Sequence, residues 1–424
     1  MSSRIPGFYR LHPGDRLTAL GDRVLSADLD VYRSEGLTLE DADLMVENVI
    51  STFRLPNAVG INFCINGRDR LVPMVVEEPS VVAAVSNMAK LMRPAGGFQA
   101  ESDPSLMIGQ VQLMDVANPE QTERVLHEHV DQLMDIARRV HPRLVSHGGG
   151  LRGMSVRRLT YDEPGHRVEH MVVLQFVLDC ADAMGANMVN TVAERLAPHV
   201  EAFTGECVGL CILSNLADQR LARASVRIPF DLLDANEGEA QAHRIAAAWR
   251  FAWVDPYRAT THNKGVMNGI DAVAIATGND WRAIEAGAHA YASRDGQYRP
   301  LTRWTVRDGA LHGTIELPLQ LGTVGGPIRV HPTVQANLRL LKCEGSTDLA
   351  SVAAAVGLAQ NLGALRALAG EGIQAGHMRM HARTIAATAG AKGEEIAAVT
   401  AMLVEAREFS VELATRALNK LHNT

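Results

Sequence analysis

From Thr38 to Phe53 the apolar residues Ala42, Met45, Val46, Val49, Ile50 and Phe53 fall at the spacing of one buried helical stripe. Thr38 with Asp41 three residues on resembles a capping box, and Pro56 ends the run. The period then changes. Val59, Ile61, Phe63 and Ile65 alternate, Asn66-Gly67 is a hairpin signal, and Leu71 to Val76 reads as the partner strand. That strand runs into Glu77-Glu78-Pro79, and a helix through Val81, Val82, Val85, Met88 and Ala89 follows.

The stretch 105–216 reads as a unit of its own. Met107 to Val116 is strand-like, and Asn118-Pro119-Glu120 starts a helix carrying Leu126, Val130, Leu133, Met134 and Ala137. Met154 to Tyr161 and Val168 to Leu178 are strands around an Asp162-Glu163-Pro164-Gly165 turn; Ala186 to Phe203 is helical and Val208 to Leu213 extended. The order β-α-β-β-α-β is the ferredoxin-like pattern. Residues 217–374 mix strands, such as Ala272 to Ala276, with Ala-rich helices, among them Val352 to Leu368. Gly370, Gly372 and Gly376 suggest a hinge before two further helices near 377–389 and 393–421. The expected fold class is α+β: a large mixed domain from 1–104 and 217–374, an inserted unit at 105–216, and a C-terminal helical flap at 375–424.

A chain of 424 residues exceeds what one small core holds. Its net charge of −7 argues against a nucleic-acid partner. No apolar segment opens the chain and no run of about 18 apolar residues stands out, so neither a secretory signal nor a membrane span is expected. Of the five cysteines, Cys64, Cys180, Cys207, Cys211 and Cys343, only Cys207 and Cys211 lie close together, without the second ligand pair a zinc site wants. Reduced thiols in a cytoplasmic protein are expected.

Several segments admit chemistry beside a plainer reading. Gly148, Gly150 and Gly153 match G-x-G-x-x-G, but a helix precedes and a strand follows, the reverse of the dinucleotide-binding order, so the segment reads as a connection. Glu77 and Glu78 sit where a strand hands over to a helix, as solvated caps or as a reactive carboxylate. Asp255 to Gly265 (DPYRATTHNKG) reads as a polar loop, in which Lys264 either polarises a carbonyl or decorates the surface. Asp280, after an apparent strand, either holds a lysine ammonium or caps a helix. His377 and His381 share a helix face, but with no Glu at the metalloprotease position and no third ligand, no metal is expected. Asp182-Ala183-Met184-Gly185-Ala186-Asn187 opens a helix whose glycine admits close backbone approach and whose N-terminus attracts phosphate. An ordinary helix start carries the same letters.

Taken together, LVPMVVEEPS at 71–80, DAMGAN at 182–187, SNLADQRLARA at 214–224, DPYRATTHNKGVMNGID at 255–271, ATGNDWRAIEAGAHAY at 276–291, GTVGG at 322–326 and QNLGALRALAGEGIQAGH at 360–377 resemble class II 3-hydroxy-3-methylglutaryl-CoA (HMG-CoA) reductases, over nearly the whole chain. The resemblance implies a large domain that binds HMG-CoA, a ferredoxin-like domain that binds the dinucleotide through Asp182, Ala183, Met184, Gly185, Ala186 and Asn187, with Thr191 in the next turn, and a flap carrying a catalytic histidine. It implies interconversion of HMG-CoA with mevalonate plus CoA by two hydride transfers through mevaldehyde. Glu78 then handles protons at the substrate oxygen, Lys264 stabilises the oxyanion, Asp280 bonds that lysine, and His377 protonates the departing CoA thiolate. Arg258, Asn268 and Asn215 match positions that contact the HMG portion. A homodimer with shared active sites, often assembled into a hexamer, is implied as well.

Two departures stand out. The family's ENVIG is Glu47-Asn48-Val49-Ile50-Ser51 here, without the glycine. The acidic residue that some NAD-using relatives carry just before the glycine-rich loop falls near His141, with Arg138, Arg139 and Arg143 close by. The helix after DAMGAN offers no basic residue before Arg195, so NAD(H) is the expected cofactor and NADP(H) the alternative. A CoA-ester hydrolase or lyase, or a silent acyl-CoA binder, is the competing class; DAMGAN and the four catalytic residue types argue against both.

Overall fold

The computed structural model describes residues 2–34, 36–370, 382–406 and 408–422. Strands β1 (Asn57–Ile65) and β2 (Arg68–Val75) form the expected antiparallel hairpin, with Ile65 opposite Arg68. Asn66 and Gly67 hold φ of 50° and 75°, the left-handed pair that Asn-Gly turns adopt. The helix Val81–Met92 packs back on β1, and β3 (Gln99–Ser102) follows.

Strands β4 (Leu106–Met114), β5 (Gly150–Tyr161), β6 (Glu169–Asp179) and β7 (Cys207–Ser214) make one sheet in the order β5-β6-β4-β7, every neighbour antiparallel. This is the ferredoxin-like order. The helices Val130–Val140 and Ala186–Thr204 cover it, and a core running from Met107 to Ala217 belongs to this unit alone. Asn118 caps its first helix by accepting from Gln121 N, as its side chain predicts. That helix breaks at His129, so the single helix expected from Pro119 onward is two, Pro119–Glu128 and Val130–Val140.

The rest of the chain builds a second sheet, β3-β8-β10-β9, from β8 (Leu221–Pro229), β9 (Thr302–Arg307) and β10 (Ala310–Pro318). Against it lies the helix Ser346–Ala369, buried continuously from Leu349 to Leu362. It is apolar all round because protein surrounds it. Contrary to the sequence expectation, it is long and apolar enough to cross a bilayer; here it is the core helix. The helix Pro256–Ala276 packs closely on it through Gly269 and Gly357. A Cβ on Gly269 would meet Gln360 Cβ at 3.0 Å, and one on Gly357 would meet Ile270 Cδ1 at 2.8 Å.

Other expectations are corrected. Asp255 to Gly265 is not a loop, and Ala272 to Ala276 is not a strand; both belong to the helix Pro256–Ala276, which Asp255 caps by accepting from Arg258 N and Pro256 starts. Asp280 accordingly follows a helix. Thr38 does cap a helix through Asp41 N, but that helix spans only Leu39–Asp43. Beyond it Val46, Ile50 and Phe53 of the stripe are exposed, as is Leu44, while Met45 and Val49 are half-buried, so among the described residues the stripe is only partly covered. The C-terminal residues form their own small core, with separate helices Glu394–Ala406 and Val411–His422 where one was expected.

Candidate active site

Glu78 follows β2 at the turn into the helix Val81–Met92. Ser80, two residues on, holds φ of 83°, a left-handed conformation that costs a non-glycine residue roughly 1–2 kcal/mol. This tight entry turns Glu78 toward the helix Pro256–Ala276. There Lys264 Nζ donates to Glu78 Oε2 at 2.8 Å, and Asn268 Nδ2, one turn further along, donates to the same oxygen at 3.4 Å. Lys264 is 61% exposed and Glu78 32% exposed, so the pair is wet and its worth to stability is about 0–1 kcal/mol. Arg258 sits on the same helix, half-buried, its guanidinium without a partner among the described residues; burial pulls its pKa down. Glu78, Ser80, Arg258, Lys264, Asn268 and Gln360 line one groove of about 1820 Å³. Ser80 Oγ and Gln360 Oε1 are buried there with no protein partner among the described residues.

Behind the groove a buried polar network fixes the lysine's helix. His262 Nε2 shares a 2.6 Å contact with Thr302 Oγ1, and Asn361 Oδ1 accepts from both Thr302 Oγ1 and Trp304 Nε1. Burial, then the Arg258 charge, pushes the His262 pKa down to about 3, so the ring is neutral. On the other side, Asp271 shares a hydrogen bond with Glu285. Burial followed by that contact pushes the Asp271 pKa far up, so its carboxyl is protonated at neutral pH. Glu285 in turn pairs with His289 at 2.5 Å.

A second cluster gathers elsewhere. Gly185, at φ 108°, begins the helix Ala186–Thr204, and a Cβ there would strike Cys180 Sγ at 2.3 Å. No side chain caps this helix start. The leading N–H groups of Ala186 and Asn187 therefore suit an anion such as a pyrophosphate. Asp182 is exposed but tethered, its Oδ1 accepting from Ser346 N at 2.9 Å, while Thr323 N donates to Asp182 O. Thr191 Oγ1 donates to Asn187 O. His141 Nε2 lies 3.0 Å from Met188 O. Gly148 to Gly153 join the short helix Pro142–Ser146 to β5 and bind no such turn.

A sequence profile described as hydroxymethylglutaryl-coenzyme A reductase matches residues 13–382. The chain belongs to this family. The HMG-CoA reductase of Archaeoglobus fulgidus is 46% identical over 426 residues, covering 100% of this chain and 96% of its own. A probable HMG-CoA reductase of Borreliella burgdorferi is 35% identical over 344 residues, covering 80% of this chain and 77% of its own. Among solved structures, the HMG-CoA reductase of Streptococcus pneumoniae superposes with a TM-score of 0.83 at 40% identity, over 98% of this chain and 99% of that one. The class II enzyme of the same organism bound to NADPH in open conformations gives 0.82 at 40% identity, over 97% and 100%. The chain is thus an oxidoreductase interconverting HMG-CoA with mevalonate and CoA by hydride transfer.

Within this HMG-CoA reductase chain, Glu78, Lys264, Asn268 and Arg258 meet in one groove. Asp280 does not join them. It caps the helix Trp281–Ala292 and pairs with Arg282 at 3.1 Å, which holds its pKa below the usual range. From Lys264 to Ala276 the same helix runs on for about 18 Å at 1.5 Å per residue, too far for an Asp280–Lys264 bond inside one chain. Asn215 lies near Asp280's helix instead; its carbonyl and that of Ala283 both accept from Gln320 Nε2. None of Asp182 to Asn187, Asn215 or Asp280 lines the groove. His377 and His381 fall outside the described residues. Sequence reasoning missed Ser80, whose positive φ no serine advertises, and His262, whose polarity suggested a loop.

Proposed function

We propose that each HMG-CoA reductase active site is completed by two copies of this chain, with Glu78, Lys264, Arg258 and Asn268 from one and Asp280 and the nucleotide loop from the other. The observation that supports this most is the Lys264–Glu78 contact in a groove lined also by Val46 and Phe53, which are apolar and exposed. A groove of about 1820 Å³ exceeds the usual 300–1,000 Å³ of a small-molecule pocket, which leaves room for protein as well as substrate. A homodimer, or a hexamer of such dimers, accounts for both features.

The chemistry follows from the groups present. The nicotinamide supplies hydride. Lys264 sets a fixed cation beside the thioester oxygen, where charge develops on reduction. Glu78, bonded to Lys264 and Asn268, holds and moves the proton at that oxygen. Arg258, half-buried and unpaired among the described residues, suits the carboxylate of the HMG portion. Asp280 bonds Lys264 across the interface, and His377 protonates the CoA thiolate. In domain terms, 1–104 with 217–374 bind HMG-CoA, 105–216 bind the nucleotide, and 375–424 form the flap.

The leading helix turn after Gly185 carries no basic side chain, and His141 is engaged with Met188, so NAD(H) is the preferred cofactor. The NADPH-bound relative favours NADP(H) as the second reading. Cys64, Cys180, Cys207, Cys211 and Cys343 are all free thiols, which suits the cytoplasm.

Mixing Lys264→Ala chains with Asp280→Asn chains tests the shared site. Each mixed dimer regains one intact site, so random exchange restores roughly one quarter of the parent activity. No recovery after proven exchange would remove the shared site. Kinetics with HMG-CoA, and with mevalonate plus CoA, on both cofactors tests the preference; tenfold favour for the phosphorylated form would reverse it.

A further inference from the structure

Arg220 is buried to 2% exposure between the sheet β3-β8-β10-β9 and the ferredoxin-like unit. Its backbone is held on both sides, with Arg220 N donating to Ala217 O and Leu319 N donating to Arg220 O. Its guanidinium reaches two other segments. Nη1 donates to Ala183 O at 3.4 Å and Met184 O at 3.1 Å, and Nη2 donates to Leu321 O. Ala183 and Val324 form a bridge beside it, and a Cβ on Gly322 would come within 2.5 Å of Met184 N. Arg220 therefore clamps the first half of the 182–187 loop against residues 321–324.

The charge of this side chain needs a further explanation. Among the described residues Arg220 forms no ion pair. The neighbouring carboxylates attract it through space but do not bond it: Asp179 accepts from Arg152 Nη2 and Ala181 N, and Asp182 accepts from Ser346 N. Burial pulls the Arg220 pKa down to about 10, which still leaves it cationic at neutral pH. A buried cation that no carboxylate touches is costly, and a mere tie between backbone carbonyls needs no net charge. The cost is offset if an anion lies across the thin loop it holds.

We infer that Arg220 is a positioning residue for the nucleotide. It locks the carbonyls of Ala183 and Met184, so that the free N–H groups beyond Gly185 keep their aim, and it adds a fixed positive charge behind the pyrophosphate. The inference rests on the nucleotide reading of residues 182–187. A guanidinium fits the task because one planar fork spans carbonyls on two segments, which a lysine ammonium does not.

The test compares the full chain with Arg220→Met and Arg220→Lys, measuring dissociation constants for NADH, NADPH and HMG-CoA together with the thermal midpoint. Arg220→Met weakens both nicotinamides by about tenfold or more, the scale of a lost charge-assisted contact, and leaves HMG-CoA within about twofold. Arg220→Lys falls between, keeping the charge and losing the fork. Nicotinamide affinity within about twofold of the parent in Arg220→Met overturns the inference, as do equal losses for nicotinamide and HMG-CoA, which mark a purely structural clamp. Should Arg220→Met not fold, Arg220→Lys decides by the same criterion. A parent chain that binds neither nicotinamide would instead sink the nucleotide reading itself.

Discussion

Lys264 Nζ stands 2.8 Å from Glu78 Oε2, although 186 positions separate the two residues along the chain. A rigid helix presents one and a strained turn the other, and neither side chain is buried enough for the contact to hold the fold together. Its value is chemical: a cation and a proton-carrying group are set side by side before substrate arrives. Replacing Lys264 by Ala is expected to lower turnover by roughly 10²–10⁴ with the thermal midpoint unchanged, as for the loss of a main oxyanion partner. Steady-state kinetics beside a melting curve checks both halves; turnover within about threefold of the parent takes Lys264 out of the mechanism.

Ile50 and Phe53 are each 92% exposed, and Phe53 lines the groove. Single apolar side chains on a surface are unremarkable, but these two continue a stripe with exposed Val46. Phe53→Glu is expected to give a folded monomer of low activity, because a charge would be desolvated at the interface core. Sedimentation shows the mass directly, and an active dimer with normal mass would move the interface elsewhere.

The neutral ring of His262 makes the fold acid-sensitive. The unfolded chain takes up a proton near pH 6.5, whereas the folded ring resists until about pH 3. Between those values unfolding binds a proton. The contribution of His262 is therefore full above pH 6.5 and is lost as pH falls toward 3, amounting to a few kcal/mol. Urea titrations at several pH values should show a shallower acid limb in His262→Gln than in the parent. Equal slopes would mean another group sets the acid limit.

Gly269 sets two effects against each other. Alanine there gains about 1 kcal/mol of helix propensity. Its Cβ would meet Gln360 Cβ at 3.0 Å and Val356 O at 3.2 Å, overpacking that costs roughly 1–3 kcal/mol. The balance predicts a modest net loss in Gly269→Ala and a larger one in Gly269→Val. Lys264 rides on the same helix, so turnover should fall as well. Chemical denaturation paired with kinetics checks this, and a stabilised, fully active Gly269→Ala would show that the helices can part without consequence.

The hairpin at Asn66-Gly67 and the ferredoxin-like unit were legible because their signals are local: alternation, a turn pair, and Asn118 before Pro119. The helix carrying Lys264 was not, although Asp255 and Pro256 announce its start. One face packs on the core helix and another lines the groove, so its polar residues blur the apolar period and suggest a loop. The stripe after Asp43 shows the converse. Its period is helical, but among the described residues it is only partly covered, and the helix stops after five residues. Lys264 and Glu78 were identifiable by resemblance to the family, and the structure adds their contact. Arg220 carried no signal, since a buried arginine and a surface one are spelled alike.

The core helix Ser346–Ala369 is about 36 Å long at 1.5 Å per residue. Its first residue donates its N–H to Asp182, Gln360 and Asn361 face the groove and its network, and the chain leaves it just before the C-terminal segment. It serves as a ruler on which three working parts are marked. A single inserted residue would move everything beyond it by about 1.5 Å and rotate it by about 100°. Surface connections of this protein should therefore tolerate changes in length among relatives, while this helix keeps its count.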